Sequence, residues 1–428
     1  MINLNLRRCI AVLSSALIVG ITAAGCAAEP ENAGNDPEAP IVVWTDATRQ
    51  AGFESFAESH PEYDLEISVV PGQEIASKVL LFNQAGEGWP DVAFVPPSAA
   101  DPFYEWAAPL GDKVPETVLA EFGKANQNCE FDGEIYCLVN DISQVVLWYN
   151  APLMAEFGYS VPATWEEYAA LGERLATEHP GYVIGSAGDS FLWHSFFKAS
   201  GCPVQDVQGP DTVKIDTSDP RCVRMAEMLD PLIEAGSVSK LGTFSAEYAA
   251  LANEGKVLMQ PGSSWFGEYV FGSDASWAWP DGSLAAAPYP GWRGEEPITA
   301  DSGGGAYVVS RHAKNMDGAL ALAEWMATDE AYQATQPSYP AFAPMAEKWG
   351  ERLSADPLYA EDPMPVLSAA SEQLGSGNAG WVRYDIEGSF ARIVGSAVAE
   401  GKTIASVLPQ LGQELTNLAQ ASAYTVVD

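Results

Sequence analysis

From Pro40 onward the chain alternates short apolar runs with amphipathic segments. IVVWT (41–45) reads as a buried strand, the next segment to Ser59 as a helix, LEISVV (65–70) as a strand and GQEIASKVLLFNQAG (72–86) as a helix. DVAFV (91–95) is then a further buried strand. Strands separated by helices imply right-handed β-α-β units and a mostly parallel sheet, so the class is α/β. In such sheets a ligand sits beyond the carboxyl ends of the strands. Here those ends lead into the loops that begin at Asp46 and Pro96, which makes Asp46, Ser98 and Asp101 candidate contacts.

The pattern restarts farther on. TWEEYAALGERLATEH (164–179) has a capping-box start at Thr164 and Glu167 and helical spacing, and YVIGS (182–186) follows as a strand. GKVLMQ (255–260), SLAAAPY (283–289) and GAYVVS (305–310) also read as strands, while residues 315–422 are mostly helical. No self-similarity at a fixed period is visible, which removes solenoids and propellers. A chain of 428 residues that is 47% hydrophobic buries a large core, and at this length two lobes are expected rather than one.

Charge narrows the partners. A formal net charge of −37, from 21 Lys and Arg against 58 Asp and Glu, argues against nucleic acid and against an anionic membrane surface, both of which are held by basic residues. The N-terminus is read as a targeting segment: Arg7 and Arg8 precede the apolar run Cys9 to Gly25. It ends in Ala23-Ala24-Gly25-Cys26, which resembles a bacterial lipobox, although Ala23 stands where Leu is usual. That resemblance implies a signal peptide over 1–25, lipidation at Cys26 and membrane contact only through the lipid. Residues 26–39, rich in Pro, Gly, Asn and Glu, suit a flexible tether. Export favours disulfides, and local pairing of Cys129 with Cys137 and of Cys202 with Cys222 is preferred among three connectivities. No metal or cofactor is expected, since the cysteines show no CxxC spacing and the four histidines are scattered.

Six stretches, in order along residues 40–410, resemble the extracellular sugar-binding lipoproteins of bacterial ABC importers, the group that includes maltose-binding proteins. They are VVWTD (42–46), WPDVAFVPPS (89–98), GEIYCLVNDISQVVLWYNAPLMAEFG (133–158), VPATWEEYAALGERL (161–175), GKVLMQPGSSWFGEY (255–269) and DSGGGAYVVS (301–310). The resemblance implies a periplasmic-binding-protein-like fold of two discontinuous lobes joined by a hinge. Lobe 1 is expected at 40–142 plus 286–330 and lobe 2 at 143–285 plus 331–428. A carbohydrate is expected in the cleft between them, and permease subunits as partners of a monomeric receptor.

Sugar rings present hydroxyl rims, which pair with carboxylates and amides, and C–H faces, which lie on aromatic rings. Asp141 precedes the returning strand at the expected hinge and reads as a ligand hydrogen-bond partner or a hinge residue; Asp46 reads as a ligand contact or a helix N-cap. Asp189, Phe191 and Trp193 in GDSFLWHSFFKASG (188–201) are candidates on lobe 2, with Phe196 and Phe197 assigned to the core. Trp265 is the favoured stacking platform, Gly303 and Gly304 permit close backbone approach, and Trp381 and Tyr384 are read as a cleft cap or as helix packing. Around Trp265, Phe266 and Tyr269 are expected on the buried side of a helix and Trp277 and Trp279 at a rim. An enzyme is disfavoured: GDSF at 188–191 lacks a late D-x-x-H, and GGGAY lacks the ending of a phosphate loop. The competing classes are a polysaccharide-surface adhesin and an importer receptor for a solute other than sugar.

Overall fold

The computed structural model describes residues 35–96, 103–209, 211–272, 277, 279–374 and 381–427; within these, the side chains of residues 72, 73, 76, 77, 80, 103, 190 and 191 are not described. The expected leader, Cys26, most of the tether, Ser98, Asp101 and the Phe191 side chain therefore lie outside the described set. The last five tether residues do not hang free. Asn35 Nδ2 donates to Asp317 Oδ2 (2.6 Å), Asp36 N donates to Lys314 O (2.8 Å), and Asn315 Nδ2 donates to the carbonyls of Pro37 and Ala39.

The strands are β1 (Ile41–Thr45), β2 (Leu65–Val69), β3 (Val92–Val95), β4 (Glu130–Phe131), β5 (Glu134–Ile135), β6 (Cys137–Ile142) and β7 (Val145–Asn150). They continue with β8 (Asp206–Gly209), β9 (Thr212–Lys214), β10 (Met259–Ser263), β11 (Leu284–Ala287), β12 (Gly305–Val309), β13 (Tyr339–Pro340) and β14 (Thr425–Val427). The large sheet has the order β13-β6-β12-β3-β1-β2. β1 runs parallel to β2 and β3, joined through helices Gln50–Ser59 and Gly72–Ala85, as β-α-β units require. The sheet as a whole is mixed, which corrects the mostly parallel expectation: β12 lies antiparallel between β3 and β6, and β13 is antiparallel to β6. The cause is topological. The chain leaves the sheet along β6 and re-enters along β12 beside it, so the two must run in opposite directions.

A second sheet, β10-β7-β11, is antiparallel throughout. Only Ser143 and Gln144 separate β6 in the first sheet from β7 in the second. Strand alternation sends Val145 and Leu147 into one apolar cluster and Val146 and Trp148 into another, so this strand is buried on both faces and reads as one continuous apolar run. Pro261 within β10 is tolerated because β10 is an edge strand. Residues 182–186, expected as a strand, form only isolated parallel bridges, Val183 with Val257 and Ser186 with Ser239. Helix Trp165–Glu178 starts on the expected capping box: Glu167 N donates to Thr164 Oγ1 (3.2 Å), and Glu167 Oε2 accepts from Thr164 N (3.3 Å).

Both expected disulfides are present. Cys129 and Cys137 flank the β4–β5 hairpin, whose turn residues Asp132 (φ 51°) and Gly133 (φ 81°) both adopt the left-handed backbone that a two-residue hairpin demands.

Candidate functional site

Three strand crossings meet beside a cavity of about 1090 Å³. Asp141, Ile142 and Ser143 leave β6, Asp301 and Gly303 approach β12, and Tyr339, Pro340 and Ala341 surround β13; all of them line the cavity. One wall is the segment 121–128, and the other is built from helices Ala343–Ser354 and Met364–Gln373 with Trp381. The walls are stitched together: Ala343 N donates to Glu121 O (3.1 Å), Lys124 Nζ to Glu372 O (3.2 Å) and Trp381 N to Asn128 Oδ1 (3.4 Å). The Cys129–Cys137 disulfide ties the first wall to the start of β6.

Asp141 is buried at its crossing. Arg49 Nη2 lies 3.3 Å from its Oδ1, Asn140 Nδ2 donates to the same oxygen (2.7 Å), and Ser143 Oγ donates to Oδ2 (3.2 Å). Arg49 also pairs with Asp46 (2.8 Å) and lies 3.7 Å above the Phe94 ring. Burial disfavours the guanidinium charge, but Asp141 and then Asp46 more than offset this, so the pKa of Arg49 rises and the group stays charged. Asp46 additionally accepts from Arg49 N (2.9 Å), closing the turn ahead of helix Gln50–Ser59. Both carboxylates are thus held by Arg49 at the ends of β1 and β6, and Asp141 also lines the cavity.

Asp301, on the next crossing, is ion-paired with Lys198, a buried lysine on helix Ser190–Ala199. Glu387 lies on the short helix Ile386–Phe390, which packs on that helix. Its carboxyl is pushed up to about 7 by burial first and then by Asp385, with Lys198 opposing and Asp301 adding to the rise. Burial, reinforced by Lys198, pushes the His194 imidazole well below its ordinary value, so it is neutral at pH 7.

Trp265 follows β10 and reaches the Asp301–Gly303 crossing: its Nε1 donates to Ser302 O (3.1 Å). Gly303 (φ 85°) makes that approach possible, since a Cβ there would lie 3.0 Å from Trp265 Nε1. Gly304 (φ 83°) is equally restricted, with Ser143 Oγ 2.9 Å from where its Cβ would be. Phe244 lies nearly parallel to Trp265, with centroids 6.2 Å apart, and Tyr269 meets Trp265 edge-on at 5.9 Å.

The structure thus brings Asp141, Trp265, Gly303, Gly304 and Trp381 to the crossings, links Asp46 to them through Arg49, and keeps Asp189, Trp193 and Tyr384 away from the cavity. Trp193, 1% exposed, and Tyr384, 3% exposed, are packed in the same apolar core, where Tyr384 meets Tyr424 edge-on. Phe196 and Phe197 are core residues, as expected. Asp189 stands back from the cavity: burial raises its pKa, and its carboxylate accepts from Thr243 N, holding the loop that carries Phe244. Trp277 and Trp279, expected at a rim, are buried against Phe271, whereas Tyr269, expected inside, is exposed. Sequence reasoning missed Arg49, Lys198, Phe244, Asp301 and Glu387. The one readable signal was Lys198, a lone cation in the apolar helix SFLWHSFFKA.

A family model for bacterial extracellular solute-binding proteins matches residues 43–333, and the chain belongs to that family, which is one of solute-binding proteins and not of enzymes. An arabinooligosaccharide-binding protein of Bacillus subtilis is 24% identical over 321 residues, covering 70% of this chain and 72% of that protein. A multiple sugar-binding protein of Streptococcus mutans is 23% identical over 304 residues, covering 67% and 70%. Among solved structures, a galacto-N-biose/lacto-N-biose I-binding protein of Bifidobacterium longum superposes with a TM-score of 0.76 at 15% identity, covering 92% of this chain and all of that one. An ABC-transporter-associated binding protein of B. animalis subsp. lactis, in complex with β-1,6-galactobiose, gives 0.75 at 18% identity, covering 91% and 99%. The fold is the two-lobed α/β architecture of these binding proteins. No helix among the described residues is long and apolar enough to cross a membrane.

Proposed function

We propose that the protein is the substrate-capturing component of a carbohydrate ABC importer, binding an oligosaccharide between two lobes and delivering it to membrane permease subunits without altering it. The observation that carries the reading is a cavity of about 1090 Å³, large enough for several sugar rings, lined at the strand crossings by Asp141, Asp301 and Gly303 with Trp381 on its wall, next to the Ser302 carbonyl on which the Trp265 ring is fixed. The names of the sequence relatives, which bind arabinooligosaccharides or multiple sugars, point to the same ligand class.

In this reading the lobes expected from the sequence take their bounds at the crossings, lobe 1 about 40–142 plus 305–340 and lobe 2 about 143–287 plus 341–428. The crossings at 142–144, 288–304 and 339–341 act as the hinge, and the ligand favours closure by touching both lobes. The receptor acts as a monomer held at the outer face of the membrane by lipid on Cys26. The experiment is a thermal-shift panel of arabino-, malto- and galacto-oligosaccharides. A ligand at one hundred times its dissociation constant adds about 2.7 kcal/mol of stability. Trp265→Ala is expected to remove most of the shift. A panel in which no glycan moves the transition, or in which the glycan is cleaved, overturns the reading.

A further inference from the structure

Lys198 is a charge beside an apolar core. Its side chain is 3% exposed, and Trp193, Phe196 and Phe197 of the same helix belong to one apolar cluster. A buried ammonium is costly unless it is paired. Its pair is Oδ1 of Asp301, a residue of the 288–304 crossing that lines the cavity. The backbone on either side of Asp301 is fixed: Val145 N donates to Ala300 O (2.8 Å) and Ser302 N to Ser143 O (2.9 Å). Lys198 takes one carboxylate oxygen, and the other, Oδ2, has no partner among the described residues.

Glu387, which does not line the cavity, faces the same lysine. Phe390, one helical turn after Glu387, packs on His194 and Phe197, with ring centroids 5.7 and 5.6 Å apart, and His194 stands one turn before Lys198. That packing lays Glu387 over the stretch of helix that carries Lys198. The other charges around Glu387 are Asp385 on its own segment and Asp301 on the crossing, while His194 is neutral at pH 7. Arg392, in the turn that follows, is engaged by Asp385 (3.4 Å) and by Glu414 of helix Leu408–Ala421 (3.0 Å). One buried cation thus serves two carboxyl groups, one at the cavity and one outside it.

We infer that Lys198 is a positioning residue for the bound glycan and that Glu387 competes with Asp301 for it, so that ligand binding takes up a proton at Glu387; this rests on the carbohydrate reading above. With Lys198 committed to Asp301 Oδ1, Oδ2 is held ready to accept from a ligand hydroxyl. With Glu387 ionised, the lysine is shared and Asp301 is held less firmly. A bound glycan fixes Lys198 on Asp301, leaves Glu387 with less compensation and so tightens its hold on a proton. By linkage, affinity is highest where Glu387 is protonated and falls as pH rises through about 7.

The test is calorimetric titration with α-1,5-linked arabinotriose and with maltotriose, neutral glycans that carry no titrating group of their own, at pH 6 and pH 8, and at pH 7 in two buffers of different ionisation enthalpy. The wild type is expected to bind about fivefold more weakly at pH 8 than at pH 6, the low end of ordinary coupling between sites, and to give a binding heat at pH 7 that depends on the buffer. Glu387→Gln is expected to bind equally at the two pH values and to lose the buffer dependence. Lys198→Met is expected to bind more weakly at both, again without pH dependence. A purely structural role for Lys198 lowers stability but leaves the pH profile of binding unchanged. A profile that is flat in the wild type, or that persists in Glu387→Gln, overturns the inference while leaving the carbohydrate reading in place. Binding of neither glycan to the wild type overturns both.

Discussion

Arg49 shows how one side chain ties two strand ends together. Its guanidinium joins Asp46 at the end of β1 to Asp141 at the end of β6, with Phe94 beneath it. Removing one partner of a buried pair leaves the other charge without compensation and costs about 3–5 kcal/mol. Arg49→Met is therefore expected to lower the unfolding free energy from urea denaturation by an amount in that range, and the double variant Arg49→Met/Asp141→Asn to recover most of it. Equal destabilisation in the two variants would show that the pair contributes nothing as a pair. The residue scale is also where reading the sequence was least complete. Asp46 and Asp141 were recognisable from their place after apolar runs, but the cation between them was not, because Arg49 is distant from Asp141 in sequence and its role exists only once β1 and β6 share a sheet.

Elements were legible where a local cause decides them. Thr164 and Glu167 specify a helix start by their own hydrogen bonds, and Asp132-Gly133 specifies a hairpin by its backbone preference, so both appeared where expected. The same hairpin makes the Cys129–Cys137 pairing readable from sequence, and the Pro-, Asp- and Gly-rich loop after Cys202 does so for Cys222. Each bond closes a loop, with sequence separations of 8 and 20, and constrains the unfolded chain by roughly 2–3 kcal/mol, slightly more for the longer loop. The double variants Cys129→Ser/Cys137→Ser and Cys202→Ser/Cys222→Ser are expected to lose stability in that range, the second more than the first. Unchanged denaturation midpoints would contradict this. Residues 182–186 went the other way: an apolar run looks the same whether it forms a ladder or only two bridges, and its neighbours in space decide which.

At the scale of the whole molecule, stability against pH reports how the segments after residue 300 close on the helix of Lys198. Glu387 is pushed up to about 7 in the folded protein by burial, Asp385 and Asp301, against the opposing Lys198. The folded state therefore binds this proton more tightly than the unfolded chain does, and the contribution of the group to stability falls as pH rises from the ordinary carboxylate range through 7. Glu387→Gln is expected to gain stability over wild type at pH 8 and to show little gain at pH 4, read as thermal midpoints across the range. A gain of the same size at both ends would place the carboxyl in a solvent-like setting.

By itself the sequence determined the local elements, the two cysteine pairings and, through six ordered stretches, the family to which the chain belongs. Those features depend on neighbours within a few residues or on patterns that survive at low identity. The tertiary structure alone decided which aromatic residues face solvent, because burial is set by segments far apart in the chain. Of the aromatic cluster between Trp265 and Trp279, Trp277 and Trp279 are core, Tyr269 is at the surface, and Phe244, whose ring stacks near Trp265, comes from a separate loop. The same holds for charge: 58 acidic residues could not be told apart in sequence, and only the packing of the crossings singled out Asp141, Asp301 and Glu387.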